Sequence, residues 1–381
     1  MRLVITVVLL LILSGIAIVG FSSIQADSQT NLTATVIDTR GAAADTEGFE
    51  RAFDVRPITF PEDLGSHPTF QTEWWYYTGN LADQNGNRFG FQLTFFRRAL
   101  EPEKAERASD WGSNQLYFAH FGLTDVANNT FYSRERWSRG GADLAGAQSP
   151  PYRVWLEDWE ARELESGAVQ LIAHDDDITL DLVLELDKPH VLQGQDGLSP
   201  KSDEPGNSSY YYSFTRQNAT GTIITPDGTV TVSGTAWKDH EWSTSALGPN
   251  AVGWDWFALQ LDDQRELMFF QIRKKDGSLD FASEGVLVMA DGQSQKIHLD
   301  DIKLTVLDHW VSPRSEGRYP AQWQLIIPDL EIDLTITPLI PDQEMSVSTV
   351  YWEGAVRVEG SQTGFGYVEM TGYAGTLQGR M

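Results

Sequence analysis

From residue 57 onward the apolar positions of the chain recur with a period of two. Phe89, Phe91, Leu93 and Phe95 fall on one face, with Gly90, Gln92 and Thr94 on the other. Ile178, Leu180, Leu182, Leu184 and Leu186 alternate with Thr179, Asp181, Val183, Glu185 and Asp187. Such alternation is the mark of antiparallel strands with one face on a core and one on water. Turn signals separate the runs: Asn85-Gly86, Pro226-Asp227-Gly228, Lys275-Asp276-Gly277 and Asp291-Gly292. No segment carries a helical period for more than three turns, and residues 158–166 are the best candidate for a short helix. Many short strands at regular spacing predict an all-β fold built of barrels or sandwiches.

The N-terminus breaks this pattern. Arg2 is followed by a 19-residue apolar run, 3–21, and then by polar residues with a small side chain at Ala26. Residues 1–26 read as a secretory signal cleaved near Ala26, and the run is also long enough for an uncleaved membrane anchor. Either reading puts the body of the protein outside the cytoplasm, on the periplasmic or extracellular side. Residues 27–57 are mostly small and polar and read as a flexible linker.

Composition narrows the chemistry. The chain has 381 residues, 54 acidic against 28 basic, and a formal charge of −26. So negative a surface repels phosphate backbones, which argues against nucleic acid as a partner. With no cysteine there are no disulfides, thiolate metal sites or cysteine nucleophiles. Thirteen Trp, 12 Tyr and 18 Phe cluster along the strands, as in a protein lined with rings. No cofactor-binding signature is present, and the chain is expected to act as a monomer.

An internal echo predicts two similar units. Residues 74–83 can be laid over 254–263: each is an aromatic strand running into Leu-x-Asp, then a turn, then a return strand carrying Phe95-Phe96 or Phe269-Phe270. The junction is placed near residue 245, giving an N-terminal domain over 58–245 and a C-terminal one over 246–381.

The segment His67-Pro68-Thr69-Phe70-Gln71-Thr72-Glu73-Trp74-Trp75-Tyr76-Tyr77-Thr78-Gly79-Asn80-Leu81 resembles the opening motif of AttH-like secreted proteins. These share a lipocalin-like superfamily with carotenoid 1,2-hydratase. A second motif fits as well: Trp237-Lys238-Asp239-His240-Glu241-Trp242, followed by Gly253-Trp254-Asp255-Trp256-Phe257. The resemblance implies two tandem lipocalin-like antiparallel β-barrels. It also implies an apolar ligand of isoprenoid, carotenoid or lipid type. Two activities are consistent with it: hydration of an isolated C=C bond, or non-enzymatic carriage of a lipid in association with a membrane export transporter of the ABC type.

By that resemblance Asp255 is the proton donor, supported by His240 and Trp242. A tyrosine stands two residues before the aspartate in the hydratase branch, where this chain has Gly253. On a strand Asp255 shares its face with Phe257 and Leu259, so its carboxyl is either desolvated and raised in pKa or a hydrogen-bonded structural group. No basic residue lies between Trp242 and Leu261, which leaves His240 as the expected polar neighbour. His240 faces away from Asp239 and Glu241, so these three do not converge on an ion, and the other histidines show no ligand spacing. Metal binding is therefore not expected. Trp74, Trp75, Trp254 and Trp256 are candidates for an aromatic ligand wall, or for core and inter-domain packing. His120, on one face with Leu116, Phe118 and Gly122, is expected inside a barrel, either as a ligand contact or as a satisfied core residue.

Overall fold

The computed structural model describes residues 46–103, 109, 111–244, 247–248 and 250–375. The expected signal or anchor lies outside the described residues. Among them are three single-turn 3-10 helices, the rest of the regular structure being strand. No helix among them is long and apolar enough to cross a membrane.

The first sheet has thirteen strands. They are Thr72–Asp83 (β1), Arg88–Ala99 (β2), Gln115–Asp125 (β3), Thr130–Arg139 (β4), Ala145–Gln148 (β5), Arg153–Leu156 (β6) and Trp159–Glu163 (β7). Val169–Asp175 (β8), Ile178–Leu186 (β9), Val191–Leu192 (β10), Leu198–Pro200 (β11), Ser208–Thr225 (β12) and Gly228–Ser243 (β13) complete it. Its order is β4-β3-β2-β1-β13-β12-β9-β8-β7-β6-β5, all antiparallel, and it curls into a nearly closed barrel as β6 comes round against β2, β3 and β4.

The second sheet has ten. They are Ala251–Leu261 (β14), Glu266–Lys274 (β15), Glu284–Val288 (β16), Ser294–His298 (β17) and Lys303–Val311 (β18). Arg318–Ile327 (β19), Ile332–Pro338 (β20), Glu344–Ser346 (β21), Val350–Gly360 (β22) and Gly364–Met370 (β23) follow, the whole forming a half-barrel. In each sheet the first strand pairs with the last, β1 with β13 and β14 with β23.

The expected hairpins are present, with Gly86, Gly228, Gly277 and Gly292 at positive φ in their turns. The candidate helix at 158–166 is instead β7, which pairs with β6 and β8 and buries Trp159 and Ala161 in the barrel. Those two residues are spaced by two, a strand period that three helical turns would not need. The later part of the expected linker also differs. Ala52 is fully buried among Phe70, Tyr210, Tyr212 and Trp242, and Tyr210 donates to the Asp54 carbonyl, so residues 46–57 are docked on the barrel.

Strand β9 alternates buried and half-exposed positions from Ile178 to Leu184, as expected, but Leu186 at its end is exposed, past the point where the core covers the strand. Strand β2 does not. Phe89, Phe91, Leu93 and Phe95 enter the first barrel, but Gly90, Gln92 and Thr94 are buried too, because that face meets the second sheet instead of water. The two layers approach so closely at Gly90 that a Cβ there would lie 2.4 Å from that of Ala355. Buried polar contacts join them: Asn80 donates to the Gly366 carbonyl at 2.8 Å, and Thr124 donates to Gln343 at 2.7 Å. Glu266 of β15 receives Lys188 at 2.9 Å and Arg216 at 2.5 Å from the first sheet.

Candidate functional site

Alternation on β1 and β13 splits the motif residues between two environments. Trp75 and Tyr77 point into the first barrel, while Trp74 and Tyr76 point at the second sheet. On β13, Lys238, His240 and Trp242 take the barrel side, and Trp237, Asp239 and Glu241 the inter-sheet side.

The barrel side carries a histidine–carboxylate network. His67 Nδ1 donates to Glu73 Oε1 at 2.7 Å and Nε2 to Asp63 Oδ1 at 2.9 Å. His240 Nε2 donates to the same Glu73 oxygen at 2.9 Å, and its Nδ1 accepts from the Tyr212 hydroxyl at 2.9 Å. Arg97, fully enclosed, donates to the other Glu73 oxygen at 2.8 Å. Burial pushes the Glu73 carboxyl up, but Arg97, His67 and His240 outweigh it and hold it well below the usual range. Burial opposes charge on His67, yet Glu73 and Asp63 raise it. His240 is lowered to about 4 by burial, so it stays neutral. Trp242 lies flat against His67, with ring centres 3.8 Å apart, and Trp75 stacks on His240. His67 and Asp63 border an open cleft of about 400 Å³ that Arg56, Phe70 and Tyr210 also line.

The side between the sheets is different. Glu353 of β22 stands directly opposite Glu369 of β23, and both look toward the first sheet. Around them are Tyr76, Tyr351, Tyr367 and Trp254, with Asp239 and Glu241 across the layer. Burial, and then the facing Glu369, push Glu353 well above the carboxylate range, although the nearby hydroxyls of Tyr76 and Tyr351 oppose this. Glu369 is pushed up to about 7 by burial, with Asp239 and Glu241 adding to the rise and Trp254 opposing it. Two carboxyls facing one another without a cation cannot both ionise. Both oxygens of Glu353 and the hydroxyls of Tyr76 and Tyr367 are buried without a well-formed hydrogen bond among the described residues, the Tyr76 and Tyr351 hydroxyls being the nearest donors to Glu353. Asp239 is raised to about 7 by burial even though Ser213, Tyr211 and Trp237 donate to it.

Several expected placements change. Asp255 does face the interior of the second sheet with Phe257 and Leu259, and burial does raise its pKa. Its partners, however, are Gln271 at 2.7 Å, Arg273 at 3.2 Å and Tyr373 at 3.2 Å, and none of these touches His240. The missing local cation comes from the neighbouring strand, where Arg273 lies opposite Gly253. No tyrosine fits at 253, because a Cβ there would sit 2.2 Å from the Thr371 carbonyl oxygen. His240 and Trp242 thus lie together, ring centres 5.0 Å apart, with Asp255 elsewhere. Of the four tryptophans, Trp74, Trp254 and Trp256 share the inter-sheet layer and Trp75 does not.

His120 is buried, but not inside the barrel. Tyr117, Ala119, Phe121 and Leu123 occupy that side, and His120 faces the second sheet with Nδ1 2.7 Å from the Tyr351 hydroxyl. Glu353, Glu369, His67 and Glu73 were not singled out from sequence as site residues. The repeated Tyr-x-Glu of Tyr351-Trp352-Glu353 and Tyr367-Val368-Glu369 was the available signal for the first two.

The AttH-like family profile matches residues 51–373. An AttH-assigned crystal structure from Nitrosomonas europaea shares 35% identity at a TM-score of 0.77, over 85% of this chain and all of that one. Kievitone hydratase from Nectria haematococca aligns at a TM-score of 0.65 and 11% identity, over 88% of this chain and 98% of its own. CghA in complex with Sch210972 aligns at 0.51 and 14% identity, over 80% and 89%. No curated protein matches the chain.

Proposed function

The chain belongs to the AttH-like family, and on that premise we propose that it takes an apolar alkene between its two sheets and adds water across an isolated C=C bond. The observation that carries this reading is the Glu353–Glu369 pair: a carboxyl kept protonated by burial and by a like-charged neighbour, ringed by tyrosine and tryptophan. Protonating an unactivated alkene needs such an acid. Glu353 gives its proton to one alkene carbon, and the other becomes a tertiary cation facing the rings of Tyr76, Trp254 and Trp256. Water adds to that carbon, and the proton it sheds returns to the carboxylate pair, so the acid is restored. A hydratase with the same overall fold supports this reading, although at 11% identity the likeness is one of fold. The export-type N-terminus supports a site of action outside the cytoplasm.

The test is incubation with isoprenoid alkene probes in oxygen-18 water, read by mass spectrometry. One labelled oxygen should enter the product. Glu353→Gln should lower turnover by about 10²–10⁴-fold, while the probe still quenches Trp fluorescence. Full turnover in that variant removes Glu353 as the acid. Binding without turnover in the wild-type protein turns the reading to a carrier.

A further inference from the structure

We propose that His67, Glu73 and His240 form a binding site for one divalent transition-metal ion of the zinc type at the floor of the cleft. The ligand atoms of the three side chains all lie within 4.8 Å of one another. Two imidazole nitrogens, His67 Nδ1 and His240 Nε2, aim at the single oxygen Glu73 Oε1, at 2.7 and 2.9 Å. A tetrahedral zinc ion with bonds of about 2.0–2.1 Å holds its ligands roughly 3.3 Å apart. A retreat of roughly half an ångström from the present contacts opens that space. The ring hydrogens of the two imidazoles point into that gap, and both are displaced when a cation binds.

The remaining atoms of each ligand are already held. His67 Nε2 is fixed by Asp63 and the second Glu73 oxygen by Arg97, while His240 Nδ1, which must carry the ring proton once Nε2 ligates, donates to the Tyr212 hydroxyl, whose own hydrogen turns to the Asp63 carbonyl at 3.3 Å. A carboxylate behind a ligating histidine is the usual outer support of a metal centre, because it sets the ring's orientation and basicity. Stacking on Trp242 and Trp75 fixes both ring planes. His67 borders the cleft, so an ion has a path in, whereas Glu73 and His240 are closed off behind it. Two nitrogens and one carboxylate oxygen suit zinc, cobalt or iron(II) and do not suit calcium or magnesium. This site is separate from the inter-sheet layer, so its failure leaves the hydration reading standing.

The experiment uses the full chain, stripped with chelator and titrated with Co²⁺ followed by visible absorption, then with Zn²⁺ against a chromophoric chelator. One Co²⁺ per chain should bind, with the d–d bands of a nitrogen–oxygen site, and Zn²⁺ should displace it. His67→Phe, which keeps a ring on Trp242, should abolish the bands. Asp63→Asn leaves all three ligands in place and should weaken binding by about 10–100-fold; it decides the question if His67→Phe does not fold. No saturable spectrum in the wild-type protein overturns the proposal, as does binding unchanged by these substitutions.

Discussion

Glu73 and Glu353 are both fully buried glutamates on central strands of their sheets, and their carboxyls behave in opposite ways. Glu73 is met by Arg97, His67 and His240 and falls well below the ordinary range. Glu353 is met by Glu369 and by tyrosines and rises well above it. Burial is the same in the two places and favours the neutral form in both. The neighbours decide the outcome. The first environment is balanced and satisfied, which suits a rigid support. The second sets a carboxyl against another carboxyl and leaves the Glu353 oxygens without a well-formed hydrogen bond among the described residues, which suits proton donation.

The contrast can be broken by experiment. The largest expected effect is at Glu73. In chelator-treated protein, Glu73→Gln leaves Arg97 and two histidines facing a neutral amide and should cost about 3–5 kcal/mol in urea unfolding. A loss under 1 kcal/mol would mean the network is not acting as a buried ion cluster. Glu353→Gln should do the reverse, being neutral or stabilising by about 1 kcal/mol at pH 8, since it removes a carboxyl that must take up a proton to be buried there.

Asp255 is the intermediate case, a buried acid with raised pKa that nevertheless has Arg273 and two hydrogen-bond donors. Asp255→Asn should cost about 1.5–3 kcal/mol and leave turnover intact. Loss of turnover with stability unchanged would return the acid role to that residue.

The smallest effect is in the pH dependence. Folded pKa values above the unfolded value mean that the folded state binds extra protons. That stability is fully present below the unfolded pKa and is lost as pH climbs through the folded value. For Glu369 the window runs from 4.5 to about 7. The groups facing the pair are Asp239, Glu241, Tyr76, Tyr351 and Tyr367, and the nearest basic side chains act one step back, Lys201 on Glu241 at 2.8 Å and His120 on the Tyr351 hydroxyl at 2.7 Å. The Tm difference between Glu353→Gln and wild type should therefore be near zero at pH 5 and grow in favour of the variant toward pH 8. A difference that shrinks with rising pH would place a cation beside Glu353.

Much of the architecture was legible from residues alone. Period two, the Gly turns and the matched aromatic hairpins define both sheets. What escaped was whatever depends on the third dimension. Residues 158–166 lack obvious alternation because β7 is only five residues long. The polar face of β2 looks solvated until another sheet is laid on it. Asp255 was assigned no cation because Arg273 reaches it across strands, 18 residues later in the chain. Glu73 and His240 are 167 residues apart and meet only through β1–β13 pairing, which no local spacing reveals.

That same pairing governs when the protein can fold. Thr72 bonds Ser243 across a sequence separation of 171 residues, and β14 likewise waits for β23. Neither sheet can close before its final strand exists, so each must meet a large loop-closure entropy before its long-range contacts form. Until then β1 and β14, both rich in rings, offer an open hydrogen-bonding edge to any neighbouring chain. Slow, all-at-once closure with a concentration-dependent loss to aggregates is the kinetic signature this topology imposes.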